Sequence, residues 1–306
     1  MLKGINARGS STLRAGTDDA KPRAGFTTTQ DGEITGTVGS NDNWTFARFV
    51  LGRIPTGQAD AFIGLWYHAV AAYFFRNGEF GELDWHLADG AKMLPADARL
   101  LFDRGALAEV LSMNLMQEAA KTGRPTMRRG SASGELILSP STALPPPEQG
   151  QKVAEAYYRA AIRVDPDFAE AHARLARLLD LTRRDQEGRG EIRLALDSSS
   201  DADVRFFAHL FGVRVAAALG QFSDADVHAL SALRLFPQAQ SAILAASAVA
   251  LHRGYVRRAQ DLIAELPDPA KLPDGVFDPW IVYPFGPGRS ADRLLAELWR
   301  TTPSVH

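Results

Sequence analysis

Residues 154–195, AEAYYRAAIRVDPDFAEAHARLARLLDLTRRDQEGRGEIRLA, constrain this chain more than any other stretch. They read as a helix, a tight turn at Asp165-Pro166-Asp167, a second helix, a polar break and a third helix. Ala154, Tyr158 and Ala161 precede Pro166 at offsets that recur as Leu83, Leu87 and Gly90 before Pro95, and as Ala225, Ala229 and Ala232 before Pro237. Small and apolar residues fixed relative to a turn are what stacked helix pairs need. No single pair can bury its apolar face alone, so each does so against its neighbours.

With the three prolines as phase markers, five units can be written. The first holds Tyr67, Val70, Ala71 and Phe74, followed by Leu87, Gly90 and Pro95. The second has Leu101, Gly105 and Ala108 in its first helix and Ala154, Tyr158 and Ala161 in its second. The third has His172, Leu175, Ala176 and Leu179, then Gly188, Ile192 and Ala195. The fourth keeps Ala225, Ala229 and Ala232, and the fifth has Ile243, Ala246, Ser247 and Ala250, then Ala259 and Ile263. Small residues let paired helices approach closely while large ones fill the gaps.

This register resembles that of the tetratricopeptide repeat, a helix pair of about 34 residues whose pattern runs from an aromatic through small residues to a closing proline. The resemblance spans about residues 60–270, and the chain as a whole looks like uncharacterised bacterial members of the family. It implies an all-α solenoid of about five helix hairpins. Two departures stand out. Between Pro95 and Pro166 only one repeat fits, so the second repeat is split by an insertion of about 37 residues. In the fourth, Gly212 falls one place before the usual glycine position, which Val213 takes.

The expected organisation is an irregular N-terminal arm at 1–58, a helical-repeat domain at 59–272 and a C-terminal cap at 273–306. The arm is rich in Gly, Thr, Ser and Asp without a helical period, although Thr27-Thr28-Thr29 and the run 33–38 could supply a short strand or two. The insertion, about 121–151, is rich in Gly, Ser and Pro, and Glu135-Leu136-Ile137-Leu138 reads as a strand within it. The tail, with Trp280, Tyr283 and the turn Gly286-Pro287-Gly288-Arg289, is expected to cap the last unit.

Composition narrows the function. The 34 basic and 36 acidic residues give a net charge of −2, which argues against a nucleic-acid binder; Arg124, Arg128 and Arg129 form only a small basic patch. There is no cysteine, so disulfides, thiolate metal sites and cysteine nucleophiles are excluded. The best apolar run, 242–251, is far short of the roughly 20 residues that span a bilayer. The start, Met1-Leu2-Lys3-Gly4-Ile5-Asn6, lacks the apolar core of a secretory signal and reads as cytoplasmic as numbered, although a processed chain would look the same.

Chemistry is sparse. Glu82 and His86 could share a metal on one helix face, but no ligand set completes them, and no metal or cofactor is expected. The turn before Ser290 could hold a phosphate at a helix start, but it lacks a P-loop lysine. His172 and His209 stand where the repeat usually has a large core aromatic. By the resemblance, the groove-facing positions of the first helices place His68, Arg76, Phe102, Arg177, Phe207, Arg214 and His252 on a partner-binding surface. Arg177 and Arg214 hold the same position in successive repeats and could bind carboxylates of an extended peptide; pairing with neighbours such as Glu170 and Asp180 is the alternative. The expected function is therefore a non-catalytic protein- or peptide-binding scaffold. One alternative is a structural subunit of a larger assembly, its groove filled by its own arm or insertion. The other is an enzyme using a pocket near Trp280–Arg289.

Overall fold

The computed structural model describes residues 59–113, 144, 146–267 and 278–301, together with five short strands before or between them. Strands β1 (Gly25–Thr28), β2 (Ile34–Val38) and β3 (Ala47–Leu51) form an antiparallel sheet in that order. The arm expected to be irregular thus carries three strands, consistent with its β-branched threonines, valines and isoleucine. A second antiparallel pair, β4 (Thr126–Met127) and β5 (Glu135–Leu136), lies where the insertion was read to hold a strand.

The helices follow: α1 (Ala59–Asn77), α2 (Phe80–Met93), α3 (Ala98–Ser112), α4 (Pro147–Val164), α5 (Ala169–Leu181), α6 (Asp185–Asp197), α7 (Ala202–Ala218), α8 (Phe222–Leu235), α9 (Gln240–His252), α10 (Val256–Ala264) and α11 (Ala291–Thr301). A 3₁₀ segment, Pro279–Ser290, leads into α11. Residues group into two compact units, one of 1–107, 115–143 and 285–306, the other of 108–114 and 144–284.

The turn joining the two helices of a hairpin confirms the repeat register. Gly78, Gly220 and Gly254 all adopt positive φ, at 69°, 71° and 79°, each at the same point of its hairpin. The α5–α6 hairpin does the same with Arg183 at φ 60°. Glycine enters this left-handed region freely, whereas an L side chain is strained there. The recurring need for this conformation therefore accounts for three of the breaks read in the sequence.

In the second unit, α5–α6, α7–α8 and α9–α10 are antiparallel hairpins stacked in order. Phe206, Phe207, Leu210 and Phe211 of α7 meet Ala176, Ile192, Ala232, Ala239 and Ala242 in one core cluster. Val213 and Ala216 meet Ala225, Ala229, Ala246 and Val249 in the next. Large residues of one helix thus fill the space left by alanines of its neighbours, as the register requires. The Asp201 carboxylate caps α7 by accepting from the Asp203 and Val204 amides at 2.9 and 3.0 Å. Gly150 of α4 lies so close to Ser112 of α3 that a Cβ there would sit 2.7 Å from the serine Cβ. The two helices flanking the insertion are in contact, as two halves of one repeat should be.

In the first unit, α1 packs on α2 and on α11. His86 of α2 is fully buried among Trp66, Tyr67 and Phe74. Asp97 accepts from the Leu100 amide at 2.9 Å at the start of α3. No described helix is long and apolar enough to cross a membrane.

Candidate partner-binding groove

The seven residues assigned to the groove fall in both units, and each has a definite environment. In the first unit, His68 lies 2.9 Å from the Asp97 carboxylate, and Arg76 forms an ion pair with Asp292 of α11. Phe102 is buried, with the Arg99 guanidinium 5.6 Å from its ring centre. Arg99 also donates to the Pro287 carbonyl at 2.9 Å. Gly288 follows, pressed against α1: a Cβ there would lie 2.5 Å from the Arg76 nitrogen and 2.9 Å from the Ala72 carbonyl. The glycine-rich turn considered for phosphate binding is therefore a packing element, shaped by close approach to a helix backbone. His86, considered with Glu82 for a metal, uses Nε2–H to donate to the Tyr67 carbonyl at 2.9 Å. Burial lowers its pKa to about 4, so the ring is neutral.

In the second unit the groove-facing positions converge on one carboxylate. Glu109, at the end of α3, has no exposed surface. Its Oε1 accepts from Arg177 at 2.6 Å and from the Tyr283 hydroxyl at 2.8 Å. Its Oε2 accepts from Arg174 at 3.0 Å and from the Tyr158 hydroxyl at 2.5 Å. Each oxygen thus takes one guanidinium and one phenol. Burial by itself would push this carboxyl up; Arg177, then Arg174, and the two hydroxyls outweigh it and hold Glu109 below the usual carboxylate range. The same burial pushes the Tyr283 and Tyr158 hydroxyls up, which keeps them as donors. Arg174 adds a bond to the Tyr283 carbonyl at 3.0 Å, and its guanidinium stacks 4.2 Å from the centre of the Tyr283 ring.

Tyr283 belongs to the tail, so the tail occupies this part of the groove. Its ring meets Phe207 at 5.0 Å and Phe211 at 5.6 Å, both edge-on, and stacks on Trp280 at 5.0 Å. The segment begins at Asp278, whose carboxylate accepts from the Ser241 amide at 2.6 Å and hydroxyl at 2.8 Å at the start of α9. A carboxylate at a helix N-terminus is favoured by the unpaired amides and the dipole there. The tail therefore does cover helices, but in this unit it lies across α5, α7 and the start of α9, and in the other unit its later residues lie against α1. The occupants proposed from sequence were the arm and the insertion, whose loops lie outside the described residues.

Arg177 is thus committed to Glu109 and Phe207 lies beneath Tyr283. Arg214 pairs with Asp180 at 2.7 Å while most of its side chain remains exposed. His252 is exposed and stacks on Phe222 at 5.3 Å. Sequence reasoning had Arg177 and Phe207 on one surface but set Tyr283 apart in the tail. The available signal was the pair Arg174 and Arg177, nearly one turn apart on an alanine-rich helix.

Two histidines expected in the core are there, in opposite charge states. His172 sits between the Pro166 carbonyl at 2.9 Å and the Glu191 carboxylate at 2.6 Å. Both partners only accept, so both ring nitrogens carry hydrogen and the ring is cationic. Burial lowers its pKa, but these two bonds outweigh it and raise it. His209 faces His228, with Nδ1 atoms 3.0 Å apart. Burial and then the His228 charge lower its pKa to about 4. The His228 ring lies on Gly212, where a Cβ would meet it at 2.8 Å. This explains the displaced glycine of the fourth repeat: it makes room for an imidazole of α8. His228 also lines a cleft of about 620 Å³ between α6, α7 and α8.

No protein-family model and no curated protein sequence matches the chain. Among solved structures it is similar to one described as "Functional Characterization of Pseudomonas Aeruginosa pilF", with a TM-score of 0.50 at 13% identity over 81% of this chain and 95% of that one. It also aligns with "Crystal structure of PilW, widely conserved type IV pilus biogenesis factor", with a TM-score of 0.49 at 16% identity over 82% of this chain and 97% of that one. At such identity the likeness speaks to the fold. Together with the repeat register and its recurring turn, the likeness to the first of these structures shows an α-solenoid of tetratricopeptide-like helix hairpins.

Proposed function

We propose that this protein is a non-catalytic interaction scaffold, a rigid helical-repeat subunit that holds protein partners on faces other than the part of its groove taken by its own tail. The observation that carries this reading is the saturation of Glu109. Four donors fill its two oxygens, and one of them, Tyr283, comes from the chain's own C-terminal segment. A group so enclosed has no free lone pair for a substrate proton, and its arginines are spent on it. Arg177 is therefore a clamp for the tail, and an extended peptide at that point would have to displace Tyr283 first. The protein partners expected of a helical-repeat fold then meet the second-helix surfaces, where Val227 is largely exposed.

A photo-crosslinking residue tests this when placed at Val227 on α8 or at Arg214 beside the groove, in the full chain within its own cells. Partner adducts from Val227 and not from Arg214 support the reading. Adducts concentrated at Arg214 and lost in Arg177→Glu would restore peptide capture by the groove as the function.

A further inference from the structure

At the same point of three hairpins, a residue of the first helix meets one 19 places later on the second. The pairs are Tyr67 with His86, His172 with Glu191, and His209 with His228. The first pair has a single imidazole, which donates to a carbonyl, and in the second the imidazole is a cation held by a carboxylate. The third differs in kind. Its Nδ1 atoms lie 3.0 Å apart, so two neutral rings share one hydrogen, which one Nδ1–H donates to the lone pair of the other. Neither ring has another hydrogen-bond partner among the described residues.

The surroundings are shaped to this pair. Gly212 follows His209 on α7, and a Cβ there would meet the His228 ring at 2.8 Å. The repeat register puts the buried Val70 and Leu175 at that place in the first and third repeats. The fourth gives up that side chain, and the imidazole of α8 takes the space. His209 is buried, whereas His228 is half-buried and lines the cleft of about 620 Å³ between α6, α7 and α8, which gives the pair a route to solvent.

We propose that His209 and His228 form a binding site for a divalent late transition metal such as nickel or copper, ligated by the two Nδ1 atoms. An ion about 2.1 Å from nitrogens that are 3.0 Å apart makes an angle of about 90° with them, the angle between neighbouring ligands in square-planar or octahedral coordination. Binding moves the shared hydrogen from Nδ1 to Nε2 of the donating ring, so both rings stay neutral and no net proton is released. Among the described residues no third histidine or carboxylate completes the ligand set, so water in the cleft fills the remaining positions. The charges that reach the pair are Arg205 and Arg234 beside His209, and Asp224 one turn before His228. This field offers no carboxylate cage for calcium or magnesium and selects an ion that bonds imidazole nitrogen. The site is independent of the scaffold reading and of which partners the protein holds.

The untagged full chain, titrated with nickel chloride in a calorimeter, is expected to take up one ion per chain. Excess nickel should raise its melting temperature by about 2–4 °C or more, and calcium chloride should leave it unchanged. His209→Gln and His228→Gln are each expected to weaken nickel uptake roughly tenfold or more, while His252→Gln, an exposed position on α9, keeps it. Should the paired variants fail to fold, imidazole nitrogen–proton spectra of the unmodified chain decide. Nickel is then expected to broaden His209 and His228 before any other histidine. An absence of uptake, equal uptake in His228→Gln and His252→Gln, or broadening that begins at another histidine would overturn the proposal and leave the pair as a hairpin clasp.

Discussion

The Tyr283 hydroxyl donates to Glu109 Oε1 at 2.8 Å across 174 residues of sequence. This bond ties a tail segment to a helix that precedes the insertion, and it sits beside Arg174 and Arg177, which share the same carboxylate. The consequences are energetic as well as functional. A buried carboxylate with two cations is tolerable only while all are paired.

Glu109→Gln leaves Arg174 and Arg177 as buried cations without their main partner. The expected loss is about 3–5 kcal/mol, read as a lower urea midpoint in far-UV circular dichroism. Tyr283→Phe removes one donor and keeps the ring among Phe207, Phe211 and Trp280, so its cost is expected near 1 kcal/mol. Equal effects from the two changes would mean that the tail's ring packing, and not the charge cluster, dominates the site.

Arg183 is the exception among four equivalent turns, since the other three use glycine. Arg183→Gly is expected to stabilise the protein by about 0.5–1 kcal/mol, because strain in the left-handed region outweighs the added freedom of the unfolded chain. A lower melting temperature for this variant would contradict the shared-turn interpretation.

At Gly212, alanine would push its methyl into the His228 ring. A cost of about 1–3 kcal/mol is expected. Most of it should vanish in the double variant Gly212→Ala, His228→Ala, a coupling that thermal denaturation of the four-member cycle would measure.

Protonation works in two directions. His86 has its folded pKa lowered by burial to about 4, below the unfolded value of 6.5. Between those values the unfolded chain binds more protons, so stability falls as pH drops, by on the order of 2 kcal/mol between pH 7 and 5 for this residue. His209 acts in the same sense. His172 is raised, so its contribution is full below pH 6.5 and is lost as pH rises through its folded pKa. Urea midpoints across pH 5–9 should show the acid limb flattened in His86→Gln and the alkaline limb flattened in His172→Gln.

Much of the fold was legible because its determinants are local and periodic. Ala225, Ala229 and Ala232 mark a helix face wherever it packs, and Gly220 marks a turn that only a positive φ completes. The split second repeat was legible from the same offsets, and Gly150 against Ser112 shows its halves meeting. The tail was not legible. Tyr283 lies in a Pro- and Gly-rich stretch with no period, and nothing local says that its hydroxyl ends beside Glu109. The donor capacity of Arg174 and Arg177 was visible, but which acceptor they serve is decided by tertiary contact. The strands of the arm were half visible in the β-branched residues, though their pairing could not be read from composition.

Hydrogen–deuterium exchange on the full chain, with and without Tyr283→Ala, tests most directly the central claim that the tail fills the groove. The account expects amides of α5 and α7 to lose protection in the variant while those of α10 stay unchanged, since Tyr283 packs on the first two and not on the third. Unchanged protection in α5 and α7 would show that the tail does not hold these helices, and the groove would again be an open site.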